Sequence, residues 1–140
     1  MKTYVLDASA VLDLLGNGPG ASRMQQLLKE AYRLSQPLLT SVANWGEVFY
    51  LSWQRYGEQS ARETLADLSL LPIKVIAVDL PQALSAGEIK ALHKIPYVDC
   101  LAAALASLHA AILVTADRDF EKLGRHFPIL WLTRPSPRQI

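Results

Sequence analysis

Short apolar runs separated by longer amphipathic stretches restrict this chain more than any other feature. Residues 3–6 (TYVL), 37–39 (PLL), 73–78 (IKVIAV), 111–115 (AILVT) and 129–132 (ILWL) read as five strands. Four of the five lack polar alternation, the pattern of strands covered on both faces of a parallel sheet. Helical stretches fill the intervals at 21–34, 41–56, 58–70, 81–93, 97–109 and 119–123. Gly57 and Gly124 follow two of these helices, where a left-handed C-cap is wanted. The alternation predicts the α/β class: a three-layer α/β/α domain with a central, mostly parallel five-stranded sheet. In such sheets ligands bind beyond the carboxyl ends of the strands, where the strand order reverses.

With 140 residues there is room for one domain, and for a core that needs no staples. The domain is expected over residues 1–132, with 133–140 (TRPSPRQI) a short, poorly structured C-terminal tail. A content of 51% hydrophobic and 19% charged residues excludes a disordered or fibrous chain. Cys100 is the one cysteine. It leaves no internal disulfide framework or cysteine-rich zinc site, and it suits a reducing compartment. Asp7 and Asp13 interrupt the apolar N-terminal stretch, so no secretory leader is expected. The longest stretch free of formal charge, 100–116, has 17 residues and reads as a helix followed by a strand, not a membrane span. A cytoplasmic protein without membrane contact is expected.

The strand-end rule directs attention to the acids. Asp7 directly follows the first strand, and Asp117 lies two residues past the fourth. Each also suits a helix N-cap or an Asx-turn. Glu47 stands mid-helix with Ala43, Tyr50 and Leu51 on its face. A carboxylate on an apolar stripe is costly unless it is paired, protonated or bound to a cation. Asp99 falls in the first turn of a helix that continues CLAAALASLHAA, which places it at the rim of the core. Four carboxylates gathered at one end of a sheet repel one another unless a cation sits among them. Oxygen ligands alone select a hard ion, Mg²⁺ or Mn²⁺. His93, His109 and His126 have no metal-ligand spacing. Ser9 and Thr115, each two residues from an aspartate, suit either turn capping or a bond to a carboxylate or metal-bound water. Setting the four acids aside leaves fourteen bases against nine acids, a basic exterior suited to a polyanion.

Taken together, the segments VLDASAVLDLL, TSVANWGEVFY, IPYVDCLAAALA and ILVTADRDFEKL resemble the four signature blocks of PIN-domain ribonucleases. More narrowly they resemble the VapC-type toxins of type II (VapBC) toxin–antitoxin systems. The similarity runs from residue 3 to about residue 132, so that residues 1–132 are expected to be the PIN domain. The resemblance implies a metal-dependent endoribonuclease, a hydrolase of RNA phosphodiester bonds using Mg²⁺ or Mn²⁺. It places catalytic, metal-binding acids at Asp7, Glu47, Asp99 and Asp117. Ser9, Thr115, Asp119 and Asn44 take auxiliary places, Asn44 orienting Glu47 or the substrate. Arg118, next to Asp117, is the candidate for a phosphate contact, although plain solvation suits an arginine there better.

As implied by the same resemblance, the chain is a toxin that arrests growth by cleaving tRNA or rRNA. Its partners are then a VapB-like antitoxin, whose tail covers the acidic pocket, and a second copy in a homodimer. Trp45, Phe49 and Trp53 offer aromatic surface for such contacts, or else core packing. A non-toxin PIN nuclease of RNA processing or decay is the alternative. A phospho-receiver domain is disfavoured because no lysine follows a strand end cleanly. A phosphatase with an aspartate nucleophile wants a second Asp where Ser9 stands.

Overall fold

The computed structural model describes residues 2–134. Five strands, β1 (Tyr4–Leu6), β2 (Leu38–Ser41), β3 (Ile73–Ile76), β4 (Ile112–Thr115) and β5 (Ile129–Trp131), form one sheet in the order β3-β2-β1-β4-β5. Every pairing is parallel. The helices are α1 (Ala8–Leu15), α2 (Ala21–Leu34), α3 (Val42–Tyr56), α4 (Glu58–Leu68), α5 (Leu80–Leu92) and α6 (Tyr97–Leu108), and a 3-10 helix covers Arg118–Leu123. This is the three-layer architecture that the alternation predicts.

Each central strand sends alternate side chains into different cores, as the pleat requires. Leu6, Leu38 and Val114 pack with Val11 of α1, Met24, Leu27 and Leu28 of α2, and Val48 of α3. Val5, Leu39 and Leu113 face the other way, onto Ala102, Ala103, Leu105 and Ala106 of α6. The alanines let that helix sit close to the sheet. Cys100 is buried between α5 and α6 with Ala86, Ile95 and Leu101. The edge strand β3 departs from the expected double cover, since Lys74 and Val75 are exposed.

Three local expectations are corrected. Helix α1 was not expected, because eight residues in which Asp13 splits two leucine pairs show no clear helical period. It forms because the Asp7 side chain caps it, accepting from the Ala10 N–H at 2.9 Å, and because Ala8, Ala10 and Val11 are buried. Strand β2 runs on to Ser41, since Thr40 and Ser41 satisfy their hydroxyls internally, on the Leu6 carbonyl and on Gln82 Oε1. Gly57 and Gly124 do have positive φ, +92° and +88°, but their ψ values of 167° and 162° are extended rather than left-handed helical. Of the expected tail, Thr133 is held, its hydroxyl donating to the Ala116 carbonyl at 3.1 Å, whereas residues 135–140 lie outside the described residues.

Candidate metal centre

Strand order makes the site. The chain leaves β1 toward β2 on one side and leaves β4 toward β5 on the other, so the switch in order falls between β1 and β4. Asp7 follows β1 and Asp117 follows β4, which puts both at that crevice. The close packing of α6 brings Asp99, in its first turn, to the same place, and α3 brings Glu47. All four line one cleft of about 290 Å³, together with Ser9, Tyr50 and an apolar wall that includes Leu12, Leu51 and Val98. Among the described residues no lysine, arginine or histidine lines it.

Asp7 is 2% exposed and is held by three donors. Its Oδ1 accepts from the Ser9 hydroxyl at 2.7 Å and from Ala10 N–H, and its Oδ2 accepts from the Thr115 hydroxyl at 2.6 Å. Ser9 Oγ in turn accepts from Ala116 N–H at 2.9 Å, and Thr115 Oγ1 accepts from Asp117 N–H at 3.0 Å. The two hydroxyls therefore tie the ends of β1 and β4 together and orient the carboxylate. Burial pushes Asp7 up to about 6 despite these bonds, and Asp117 nearby adds to the rise. Asp117 Oδ1 caps the 3-10 helix by accepting from Asp119 N–H at 2.9 Å. Asp119 itself is exposed and does not line the cleft.

Asp99 is half-buried, and every influence on it acts in one direction. Burial comes first, then the charges of Asp117, Asp7, Glu47 and Asp119, and together they push it to about 7. Glu47 is raised by burial, partly offset by the Tyr50 hydroxyl, which donates to its Oε2 at 3.3 Å. Among the described residues no cation pairs with Glu47, so the buried salt bridge that would have explained it on an apolar stripe is absent. Asn44 is fully buried and does not reach Glu47; its amide donates to the Val98 carbonyl at 3.3 Å, fastening α3 to the start of α6 beside Asp99. Arg118 turns away from the acids. Its guanidinium lies 3.8 Å from the centre of the Trp131 ring and pairs with Glu121.

A family model for the PIN domain matches residues 4–126. The chain belongs to the PIN-domain family. No curated protein matched it. Among solved structures, VapBC2 of Rickettsia felis bound to a promoter DNA fragment aligns over 91% of this chain and 97% of its own, with TM-score 0.73 and 17% identity. DNA-bound VapBC of Salmonella typhimurium aligns over 95% and 100%, with TM-score 0.72 and 16% identity. Mycobacterium tuberculosis VapC20, described as a sarcin-ricin loop cleaving toxin, aligns over 87% and 95%, with TM-score 0.63 and 20% identity. At these identities the likeness establishes a shared fold.

The cleft of this PIN domain fits the divalent cation that its family implies. Four carboxylates face one another with no basic partner among the described residues, and two of them are lifted well above the ordinary range. That is the chemistry of a donor set whose charge is meant to be balanced by an ion. As the side chains stand, no three His, Cys, Asp or Glu among the described residues converge closely enough to hold one. The three histidines lie elsewhere, His93 and His109 at the ends of α5 and α6 and His126 on the surface. Tyr50 is the site residue that the sequence did not mark as functional, although its i+3 spacing from Glu47 was legible. Among the described residues no helix is long and apolar enough to cross a membrane.

Proposed function

We propose that this PIN domain is a metal-dependent endoribonuclease, the toxin of a VapBC-type toxin–antitoxin pair acting in the cytoplasm. The observation that carries the reading is the cleft at the strand-order switch, lined by four carboxylates and, among the described residues, no cationic side chain. Asp7, Asp99 and Asp117 are assigned as ligands of Mg²⁺ or Mn²⁺. Glu47 is assigned to a second ion or to the orientation of the attacking water. When bound, the ion supplies a water of lowered pKa and neutralises charge on the leaving oxygen. Ser9 and Thr115 keep the Asp7 carboxylate in one orientation, Asn44 holds the helix that carries Asp99, and Asp119 adds negative potential at the rim. No histidine base is required, which agrees with the absence of any histidine from the cleft.

The similarity to VapBC complexes supports a VapB-like antitoxin as partner. A homodimer is assigned as the working assembly. The likeness to VapC20, described as cleaving the sarcin-ricin loop, favours rRNA within the assigned target class of tRNA or rRNA. The test is induction of the chain in a bacterium without its antitoxin, with Asp99→Asn alongside, and mapping of new RNA 5′ ends. Discrete cuts in one tRNA or rRNA with growth arrest, absent in the variant, support the toxin. Scattered cuts without arrest turn the reading to a PIN nuclease of RNA processing. Identical maps for parent and variant overturn nuclease activity altogether.

A further inference from the structure

Beside the acidic cleft lies a pocket of opposite character. It has a volume of about 320 Å³ and is lined by Arg118, Arg125, Phe127, Ile129 and Trp131, with Glu121 as its one acid. Arg118 directly follows Asp117, and Trp131 pairs in register with Thr115, so the Arg118–Trp131 part of the pocket lies at the carboxylate end of the sheet, and the pocket runs from there along β5 toward Ile129 and Phe127. Arg118 is locked. Its guanidinium is stacked on the Trp131 indole, its Nε donates to Glu121 Oε1 at 2.7 Å, and its Nη1 donates to the Thr133 carbonyl at 3.4 Å. Even so, its side chain remains 23% exposed. Arg125 is exposed, and no carboxylate pairs with it among the described residues.

A fixed guanidinium plane on an indole is a stacking platform, and an unpaired arginine next to it is a phosphate contact. The acidic cleft has no such group among the described residues, and its carboxylates repel a polyanion. We propose that the Arg118–Trp131 stack and Arg125 form a nucleotide subsite on the RNA path, one base resting on the platform while Arg125 takes the adjoining phosphate. Arg118 thus contributes its plane rather than its charge, which Glu121 already neutralises. The inference rests on the nuclease reading above and deepens it: single-stranded RNA with a purine at this subsite is the preferred substrate, because purines stack best.

The test is fluorescence anisotropy with labelled A8, C8 and U8 oligoribonucleotides in the cleavage-deficient Asp99→Asn background. Arg118→Lys keeps the charge and removes the plane. It is expected to weaken A8 binding about tenfold, the loss of one base stack, and to leave the salt dependence unchanged. Arg125→Gln is expected to lower the slope of log affinity against log salt by about 0.7, the value for one phosphate contact on a single strand. With Asp99 restored, both changes raise KM with kcat within about twofold. Melting curves establish that each variant is folded, and Trp131→Phe serves as a second probe of the platform. Parental affinity and slope in all folded variants, with cleavage intact in the parent, overturn the subsite and leave the nuclease standing. A parent that neither binds nor cuts RNA overturns both.

Discussion

Replacing Asp7 by Asn tests whether the carboxylate cluster is a metal cage or a structural device. In the metal-free protein Asp7 is lifted from the ordinary 3.8 to about 6, so keeping it ionised in the fold costs about 3 kcal/mol at neutral pH and above. Asn removes that cost without leaving a gap. Its Oδ1 accepts from Ser9 and Ala10 as before. The Thr115 hydroxyl turns to donate to Ser9 Oγ, 3.1 Å away, and accepts from the new amide. In metal-free buffer at pH 8 the variant is therefore expected to be more stable by up to about 3 kcal/mol, or about 10 °C in Tm for 140 residues. A carboxyl with a raised folded-state pKa contributes stability at low pH that is lost as pH rises from 3.8 to about 6. The gap between variant and parent must accordingly be full above pH 7, about half as large near pH 5, and nearly closed at pH 4. Thermal melts in EDTA across that range read it directly. A variant that melts at or below the parent at pH 8 refutes the argument, as does a gap that does not narrow in acid. Either would make Asp7 a cap whose charge the fold needs.

Asp99→Asn abolishes cleavage and also stabilises the metal-free protein, by about 1 kcal/mol, since partial exposure of Asp99 screens its repulsion; parallel melts and RNA cleavage assays check both effects. Mg²⁺ at 100 times its Kd raises parental stability by about 2.7 kcal/mol, and neither Asn variant shows that rise in a melt titrated with metal. Cleavage by the parent increases from pH 5.5 to 8 as Asp7 and Asp99, at about 6 and about 7, give up their protons. More metal moves that rise to lower pH, because ion and proton compete for the same oxygens, and pH–rate profiles at two Mg²⁺ concentrations decide it. Asn44→Ala costs about 1–2 kcal/mol in a denaturant melt by removing the bond from the fully buried Asn44 amide to the Val98 carbonyl, and it slows cleavage by loosening the start of α6.

Much of this arrangement is legible in the sequence. The unbroken apolar runs specify buried strands because a parallel sheet covered on both faces has no wet side to record. Asp7 and Asp117 were found by their position after such runs, and Asp99 by its place ahead of an alanine-rich helix. Helix α1 was hidden because its boundary is set by one side-chain cap and by burial, not by periodicity. Asn44 was expected to serve Glu47 or the substrate, and instead holds the Val98 carbonyl, a partner 54 positions away.

The sequence by itself determined the five strands and every helix but α1, a mostly parallel sheet, and which acids stand at strand ends, because these follow from local pattern and backbone geometry. Only the tertiary structure decided the order β3-β2-β1-β4-β5, and with it the switch point that makes neighbours of Asp7 and Asp117. The bonds of Ser9 and Thr115 to Asp7, the approach of Glu47 and Asp99, and the laying of Arg118 on Trp131 come from that order too. Contacts across a hundred residues depend on which strands pair, and pairing is chosen by how whole layers pack, a choice that no local pattern records.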